Sequence, residues 1–485
     1  MKSHINYILL FLFLFALSFE STAQKPNLLI IHTDEHNFRT LGCYRDQLSR
    51  YQAFIWGEGV EIKTPHIDRI ASEGAICNNF YASSPVCTPS RASLVSGLYP
   101  IATGSPKNNL PMKDDIITFA EVLRREGYVT SYLGKWHLDG EAKPGFAPKR
   151  KFGFENNKYM FNRGHWKGLE DDENGNPKLM GEFNPKTQNA KLNVLTTDDQ
   201  SFTTDYLTNK ALEILDRDKE QPFCMMISLP DPHTPNLVRS PYDTMFNGLH
   251  FEKPITMKVS NDQFPKWISF EKNLVTEYEQ EKMQRYFGMV KCIDDNVGRL
   301  LKFLDLNGLR DNTIVVFSSD HGDLMGEHKK HNKGNPYEAS AKIPFIIRYP
   351  NKIPSGKVIN KAFTTVDFTP TVLSLMNAPR ISGVHGLNAG GDFLSSEKKI
   401  NDDRITYITG SGSNWVCALN NRYKYILSIS DEPWLFDLQE DPDEIINFYN
   451  DPEYKAVAGK MHKKLLAKLK KYDDPVLKSK KKLIY

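Results

Sequence analysis

The chain has 485 residues, 40% of them hydrophobic and 25% charged, an ordinary globular composition with length for two or three units around a large core. Its 62 Lys and Arg against 59 Asp and Glu leave a net charge of +3. That balance excludes a nucleic-acid binder held by bulk charge, while permitting a local cationic pocket for an anion.

Lys2 precedes an apolar run at residues 8–17, and Ser21, Thr22 and Ala23 supply small side chains after it, so residues 1–23 read as a signal peptide cut before Gln24. The run falls short of the ~20 residues a membrane span requires, and no second run follows it. The mature chain is therefore expected to be exported, periplasmic or secreted, without a stable membrane span. Residues 27–32 (NLLIIH) form a continuous apolar run, the pattern of a strand covered on both faces. Residues 64–74 read as a helix with Thr64 as cap, Pro65 in the first turn and Gly74 as stop; residues 118–127 repeat that logic and lead into a strand at 128–133. A helix at 205–217 precedes a strand at 223–229, and an amphipathic stretch at 277–304 precedes a strand at 313–319. Residues 345–349 give a further strand, and Thr369-Pro370 opens a helix. Strands alternating with helices predict an α/β fold with a large, mainly parallel sheet flanked by helices.

After about Gly383 the texture changes. Short runs at 405–408, 415–419, 423–428 and 434–438, separated by turn residues, predict a small antiparallel sheet, followed by a helix at 452–471 and a basic tail at 478–482. The chain accordingly divides into a large α/β unit (24–382) and a C-terminal α+β unit (383–485). Residues 45–61 and 155–200 read as surface insertions of the kind that shape pockets. In the second, Tyr159, Arg163, His165, Trp166 and Lys167 suit either contacts to sugar rings and neighbouring anions or loop packing. The six cysteines, Cys43, Cys77, Cys87, Cys224, Cys292 and Cys417, are sparse; Cys224 and Cys417 sit in apolar runs as buried thiols do, and the spacing leaves pairing open.

Chemistry concentrates at a few places. Cys87-Thr88-Pro89-Ser90-Arg91 leads into Ala92-Ser93-Leu94-Val95-Ser96-Gly97, and Pro89 suits the first turn of a helix whose positive end favours anions. Asp34-Glu35 follows the first strand and Asp320-His321 follows the strand ending at Ser319. Ligands of open α/β sheets sit beyond the carboxyl ends of strands. Carboxylates meeting there would repel unless a cation joined them, and hard oxygens favour calcium or magnesium.

The Cys87 pentapeptide resembles the signature of the formylglycine-dependent sulfatases of the alkaline phosphatase-like superfamily. Gly134-Lys135-Trp136-His137, Asp231-Pro232-His233-Thr234-Pro235 and Lys333 before Tyr337-Glu338 fall where that family carries its cations, and the segments 434–438 and 441–444 resemble the end of its C-terminal subdomain. The resemblance implies a sulfuric ester hydrolase acting on sulfated polysaccharides or oligosaccharides. Cys87 would be converted to 3-oxoalanine by a formylglycine-generating or sulfatase-maturating enzyme, and its hydrate would be the nucleophile. It further implies one calcium ion, ahead of magnesium, held by Asp34, Glu35, Cys87, Asp320 and His321. Arg91 would hold the nucleophile, Lys135 and Lys333 the sulfate oxygens; His233 would protonate the leaving alcohol and His137 would take a proton as sulfate departs. Glu35 and His321 stand where Asp and Asn are the common residues, and imidazole is a softer ligand than an oxygen. His36, His66, His328 and His331 receive no role, though His36 lies near enough to Asp34 to line the pocket. The alternatives are a phosphonate or phosphate ester hydrolase of the same superfamily and an inactive homologue that binds sulfated glycans.

Overall fold

The computed structural model describes residues 25–184, 186–187, 189–268, 274–395 and 404–478; the expected signal peptide and the tail beyond Lys478 lie outside them. Strand β1 (Asn27–Asp34) is buried along its whole length. Leu28 and Ile30 enter one apolar cluster, Leu29 and Ile31 another, so successive side chains fill cores on opposite faces and no polar alternation is tolerated. β1 pairs in parallel with β6 (Thr313–Ser319) on one side and β5 (Phe223–Pro232) on the other. β5 pairs in parallel with β3 (Val129–Lys135), and β3 with the short β4 (Met160–Phe161). Beyond β6 come β7 (Phe345–Arg348) and β2 (Ala75–Tyr81), both joined by antiparallel pairing, then β8 (Lys357–Thr364) parallel to β2. The eight-stranded order is β8-β2-β7-β6-β1-β5-β3-β4, the mainly parallel sheet the sequence predicts.

Helices α1 (Pro65–Ser72), α4 (Thr203–Asp218) and α5 (Gln280–Leu306) pack on one face through Ile67, Leu207, Ala211, Val297 and Leu300. Helices α2 (Cys87–Ser96), α3 (Phe119–Arg125) and α6 (Phe368–Leu375) cover the other through Leu94, Leu123 and Val372. Thr118 caps α3 by accepting from the Glu121 amide at 3.1 Å. β2 and β8 have no counterpart among the sequence expectations. Asn78 and Asn79 interrupt the apolar run of β2, and both amides donate to Asn360 of β8, so this edge is held by polar pairing that periodicity does not reveal.

Neither expected insertion is a simple surface loop. Ile55, Trp56 and Val60 turn inward against Met283 and Phe287 of α5. Within 155–200, β4 joins the main sheet and Trp166 and Leu169 enter its core; two hairpins, Leu169–Asp171 with Pro177–Leu179 and Glu182–Asn184 with Asn189–Lys191, stand outside the main sheet. Strands β9 (Thr406–Thr409), β10 (Trp415–Leu419), β11 (Tyr423–Ser428) and β12 (Trp434–Asp437) form the C-terminal antiparallel sheet. Val416, Ala418 and Leu427 face helix α7 (Lys455–Lys471), whereas Trp415, Cys417 and Ile426 pack on Tyr81, Tyr337 and Ala339 of the large unit. All six cysteines are free and buried, which answers the open question of pairing.

Candidate active site

The carboxyl ends of β1, β3, β5 and β6 converge on one small, buried space. Asp34 ends β1 and Lys135 ends β3, while His233 and Asp320 directly follow β5 and β6. Gly134 permits this closeness: it has φ 93°, and a side chain there would strike the Ser228 carbonyl of β5. Cys87 opens α2, a helix buried at every position, so the thiol lies at a positive helix end away from solvent. Glu35 (φ 63°) and His137 (φ 61°) adopt left-handed backbone conformations, a strain that persists where surrounding structure imposes it, often at functional sites.

Arg91 organises the acidic side. Its Nε donates to Asp320 Oδ2 at 2.8 Å and its Nη2 to Asp34 Oδ2 at 2.9 Å; its Nη1 donates to Ser228 Oγ and the Lys135 carbonyl. Lys135 Nζ approaches Asp34 Oδ2 to 2.5 Å. Burial alone would raise Asp34, but Lys135 and Arg91 hold it well below the usual carboxylate range. Likewise burial opposes ionisation of Cys87, yet Lys135 and Lys333 bring its thiol well below the ordinary value. Position 87 is thus a place where negative charge is stabilised.

The donor atoms of Asp34, Cys87, Asp320 and His321 lie within 4.8 Å of one another. His321 Nδ1 donates to the Gly322 carbonyl at 3.0 Å, which leaves Nε2 directed at Cys87 Sγ, 3.2 Å away. Burial disfavours the imidazolium, but Asp320 raises His321 to about 9. Glu35 adjoins this group and stands outside it. Its carboxylate oxygens lie 3.2 Å from Lys333 Nζ and 3.1 Å from His233 Nε2, without a hydrogen bond of good geometry, and burial raises it to about 8. Asp34, Asp320, the His321 nitrogen and the Cys87 sulfur, with the buried and unsatisfied Glu35 carboxylate beside them, form a donor set that suits a divalent cation.

On the cationic side, His233 Nδ1 donates to the Thr234 carbonyl at 2.8 Å, and Lys333 donates to His233 Nε2 at 2.7 Å. Burial and Lys333 both hold His233 well below its ordinary value. Burial opposes charge on Lys333, but Cys87 and Glu35 raise it. His137 Nε2 donates to Asn109 Oδ1 at 2.9 Å, leaving Nδ1 as a bare acceptor next to Cys87. Burial lowers His137, which keeps that lone pair available.

The residues to which the resemblance gave catalytic or metal-binding roles meet here. Two residues with no expected role stand with them, Asn109 orienting His137 and Ser228 supporting Arg91, and His165, expected either to contact substrate or to pack in a loop, contacts Lys135 Nζ at 2.7 Å. Asn109 and Ser228 carry no motif of their own and were legible only as neighbours in space. His36 turns away, its Nε2 on Thr40 Oγ1 and its ring against Phe317; it does not line the pocket. Of the other aromatic and basic candidates, Tyr159 packs on Tyr206, Arg163 pairs with Glu141 and Trp166 is buried.

A sulfatase family model matches residues 21–378, and one for the N-sulphoglucosamine sulphohydrolase C-terminal region matches residues 326–471. The chain belongs to the sulfatase family and is a sulfuric ester hydrolase. It is 29% identical to an ulvan-active sulfatase of Formosa agariphila over 93% of this chain and 82% of that protein. It is 26% identical to an N-acetylglucosamine-6-O-sulfatase of Bacteroides thetaiotaomicron over 98% and 92%. The solved structure of the sulfatase yidJ from Bacteroides fragilis superposes with a TM-score of 0.75 at 25% identity, covering 95% of this chain and 98% of that one. Among the described residues no helix is long and apolar enough to cross a membrane.

Proposed function

We propose that this enzyme removes sulfate from sulfated polysaccharides or their oligosaccharides, using a formylglycine made from Cys87 and one calcium ion. The observation that carries the reading is the placement of Cys87 at a buried helix start, between Lys135 and Lys333 on one side and Asp34, Asp320 and His321 on the other. The two relatives named for ulvan and for an N-acetylglucosamine 6-O-sulfate support a carbohydrate substrate.

Asp34, Asp320 and His321, with Glu35 adjoining, would hold the cation; when bound, it neutralises the converging carboxylates and acidifies a hydroxyl set against it. A maturation enzyme supplies the oxidation of the Cys87 side chain to an aldehyde, which water hydrates to a geminal diol. One diol hydroxyl, having given up its proton to water, bonds through its oxygen to sulfur as the sulfur–oxygen bond to the sugar breaks, and the departing alkoxide takes a proton from the His233–Lys333 pair. The other hydroxyl gives its proton to His137 Nδ1 as the carbon–oxygen bond to sulfate breaks, which frees sulfate and restores the aldehyde. Arg91 fixes the acidic side, and Lys135 and Lys333 direct donors at the charge developing on the sulfate oxygens. The signal peptide before Gln24 would deliver the enzyme to the periplasm or outside the cell.

Peptide mass mapping is expected to show the Cys87 peptide lighter by the exchange of thiol sulfur for aldehyde oxygen and the loss of two hydrogens. A desulfation screen on defined sulfated oligosaccharides, with phosphate and phosphonate esters alongside, is expected to show release from the sulfate esters first. An unshifted peptide from an active preparation, or preferential turnover of phosphonates, overturns the reading.

A further inference from the structure

Residues 162–168, the polar stretch after β4, cross the pocket beside His233. His165 Nε2 stands 2.7 Å from Lys135 Nζ. An ammonium has only donors, so Nε2 must accept and the imidazole is neutral. The same ring lies flat on His233, with centroids 3.4 Å apart and planes within 5°. The segment is anchored on either side of this contact. Trp166 is buried, with its Nε1 donating to the Arg163 carbonyl at 3.0 Å, and Gly164 has φ 114°, where a side chain would strike the Trp166 indole. Lys167, also buried, pairs with Asp231 and donates to the His233 carbonyl at 3.1 Å. His233 is therefore gripped twice by one short segment, through its ring and through its backbone.

We infer that His165 is a positioning residue for sulfate-ester cleavage, setting the Lys135 ammonium and the His233 ring in register with the leaving alcohol. Without its acceptor, Lys135 keeps Asp34 as its carboxylate partner and regains rotamer freedom; without its ring, His233 loses one wall. Small displacements of such groups have large effects on rate. A neutral ring serves here because a further cation between Lys135 and Lys333 would repel both. The inference rests on the reading of the His233–Lys333 pair as the source of the leaving group's proton. Its consequence is selective: a sugar alkoxide needs that proton, whereas a nitrophenolate departs without it.

The test compares kcat/KM for a sugar 6-O-sulfate and for 4-nitrophenyl sulfate in the matured, metal-loaded enzyme. His165→Ala is expected to lower the sugar-ester value by about 30-fold and the nitrophenyl value by about 3-fold, since general acid catalysis contributes ~10²–10⁴-fold and only part is lost. His165→Phe, which keeps a ring on His233, is expected to return the ratio of the two substrates to within about 3-fold of the parent and to retain a raised KM for both. His165→Gln, which keeps an acceptor for Lys135, is expected to show the converse. These two variants also decide the matter if the alanine protein does not fold. Equal losses on both esters in every variant, or sugar-ester losses below about 2-fold, overturn the inference alone. A parent enzyme that releases no sulfate from either ester overturns the proposed function and this inference together.

Discussion

Two buried clusters of charge lie at opposite ends of the short segment 333–338. In one, Lys424 of the C-terminal sheet stands 2.7 Å from Glu338 and 2.8 Å from Glu444, and its Nζ donates to the Pro336 carbonyl. Lys342 adds a second cation 3.3 Å from Glu338. In the other, Asp34, Glu35 and Asp320 share Arg91, Lys135 and Lys333, and Glu35 lacks any hydrogen bond of good geometry. The first cluster answers its own charges and fastens the small sheet to the large one. The second leaves both Glu35 oxygens without a hydrogen bond, whereas in the first the one Glu338 oxygen without a hydrogen bond of good geometry lies 2.7 Å from Lys424 Nζ; buried polar atoms left without partners mark a candidate functional site.

Several substitutions can break or sharpen that contrast. Cys87→Ala, or thorough removal of divalent metal, is expected to lower sulfate release by at least about 10⁴-fold, because in the proposed mechanism nucleophile and metal would act as one unit. Ion chromatography of released sulfate measures it. Lys424→Met is expected to destabilise the fold by about 3–5 kcal/mol, the loss typical when a buried carboxylate is left without its cation, read from denaturant unfolding. Lys333→Ala is expected to lower kcat by about 10²–10³-fold while changing unfolding by under about 1 kcal/mol. A large stability loss from Lys333→Ala would erase the distinction between the clusters.

The smallest effect is the most diagnostic. Burial works against it, but Lys424 and Lys342 bring Glu338 down to about 2 from 4.5. The unfolded chain therefore binds the extra proton, and stability present above pH 4.5 is lost as pH falls toward 2. Burial raises Glu35 to about 8 from 4.5, so in metal-free protein the native state binds the extra proton and stability falls as pH rises from 4.5 through 8. Glu338→Gln is expected to flatten the acid limb of a melting-temperature profile, and Glu35→Gln the limb toward alkaline pH.

Much of the fold was legible in advance because its central strands are buried on both faces: residues 313–319, 415–419 and 423–428 match their strands to the residue. The edge strand β8 and its neighbour β2 were not legible, since Asn78, Asn79 and Asn360 pair across them and polar pairing leaves no apolar period. The inward turn of Trp56 against Phe287 was hidden for a related reason, a few apolar residues set in polar surroundings.

The sequence by itself determined the chemistry: a Cys-x-Pro-Ser-Arg helix start, two acidic steps after strands, and cations at fixed places after others, because short motifs carry local geometry with them. Only the tertiary structure decided which of these groups touch. The distances that made Glu35 a neighbour of His233 and Lys333 run between the ends of elements far apart in the chain, and the one that made His165 a partner of Lys135 depends on how the segment after β4 folds back over β3; both are set by packing of the whole sheet.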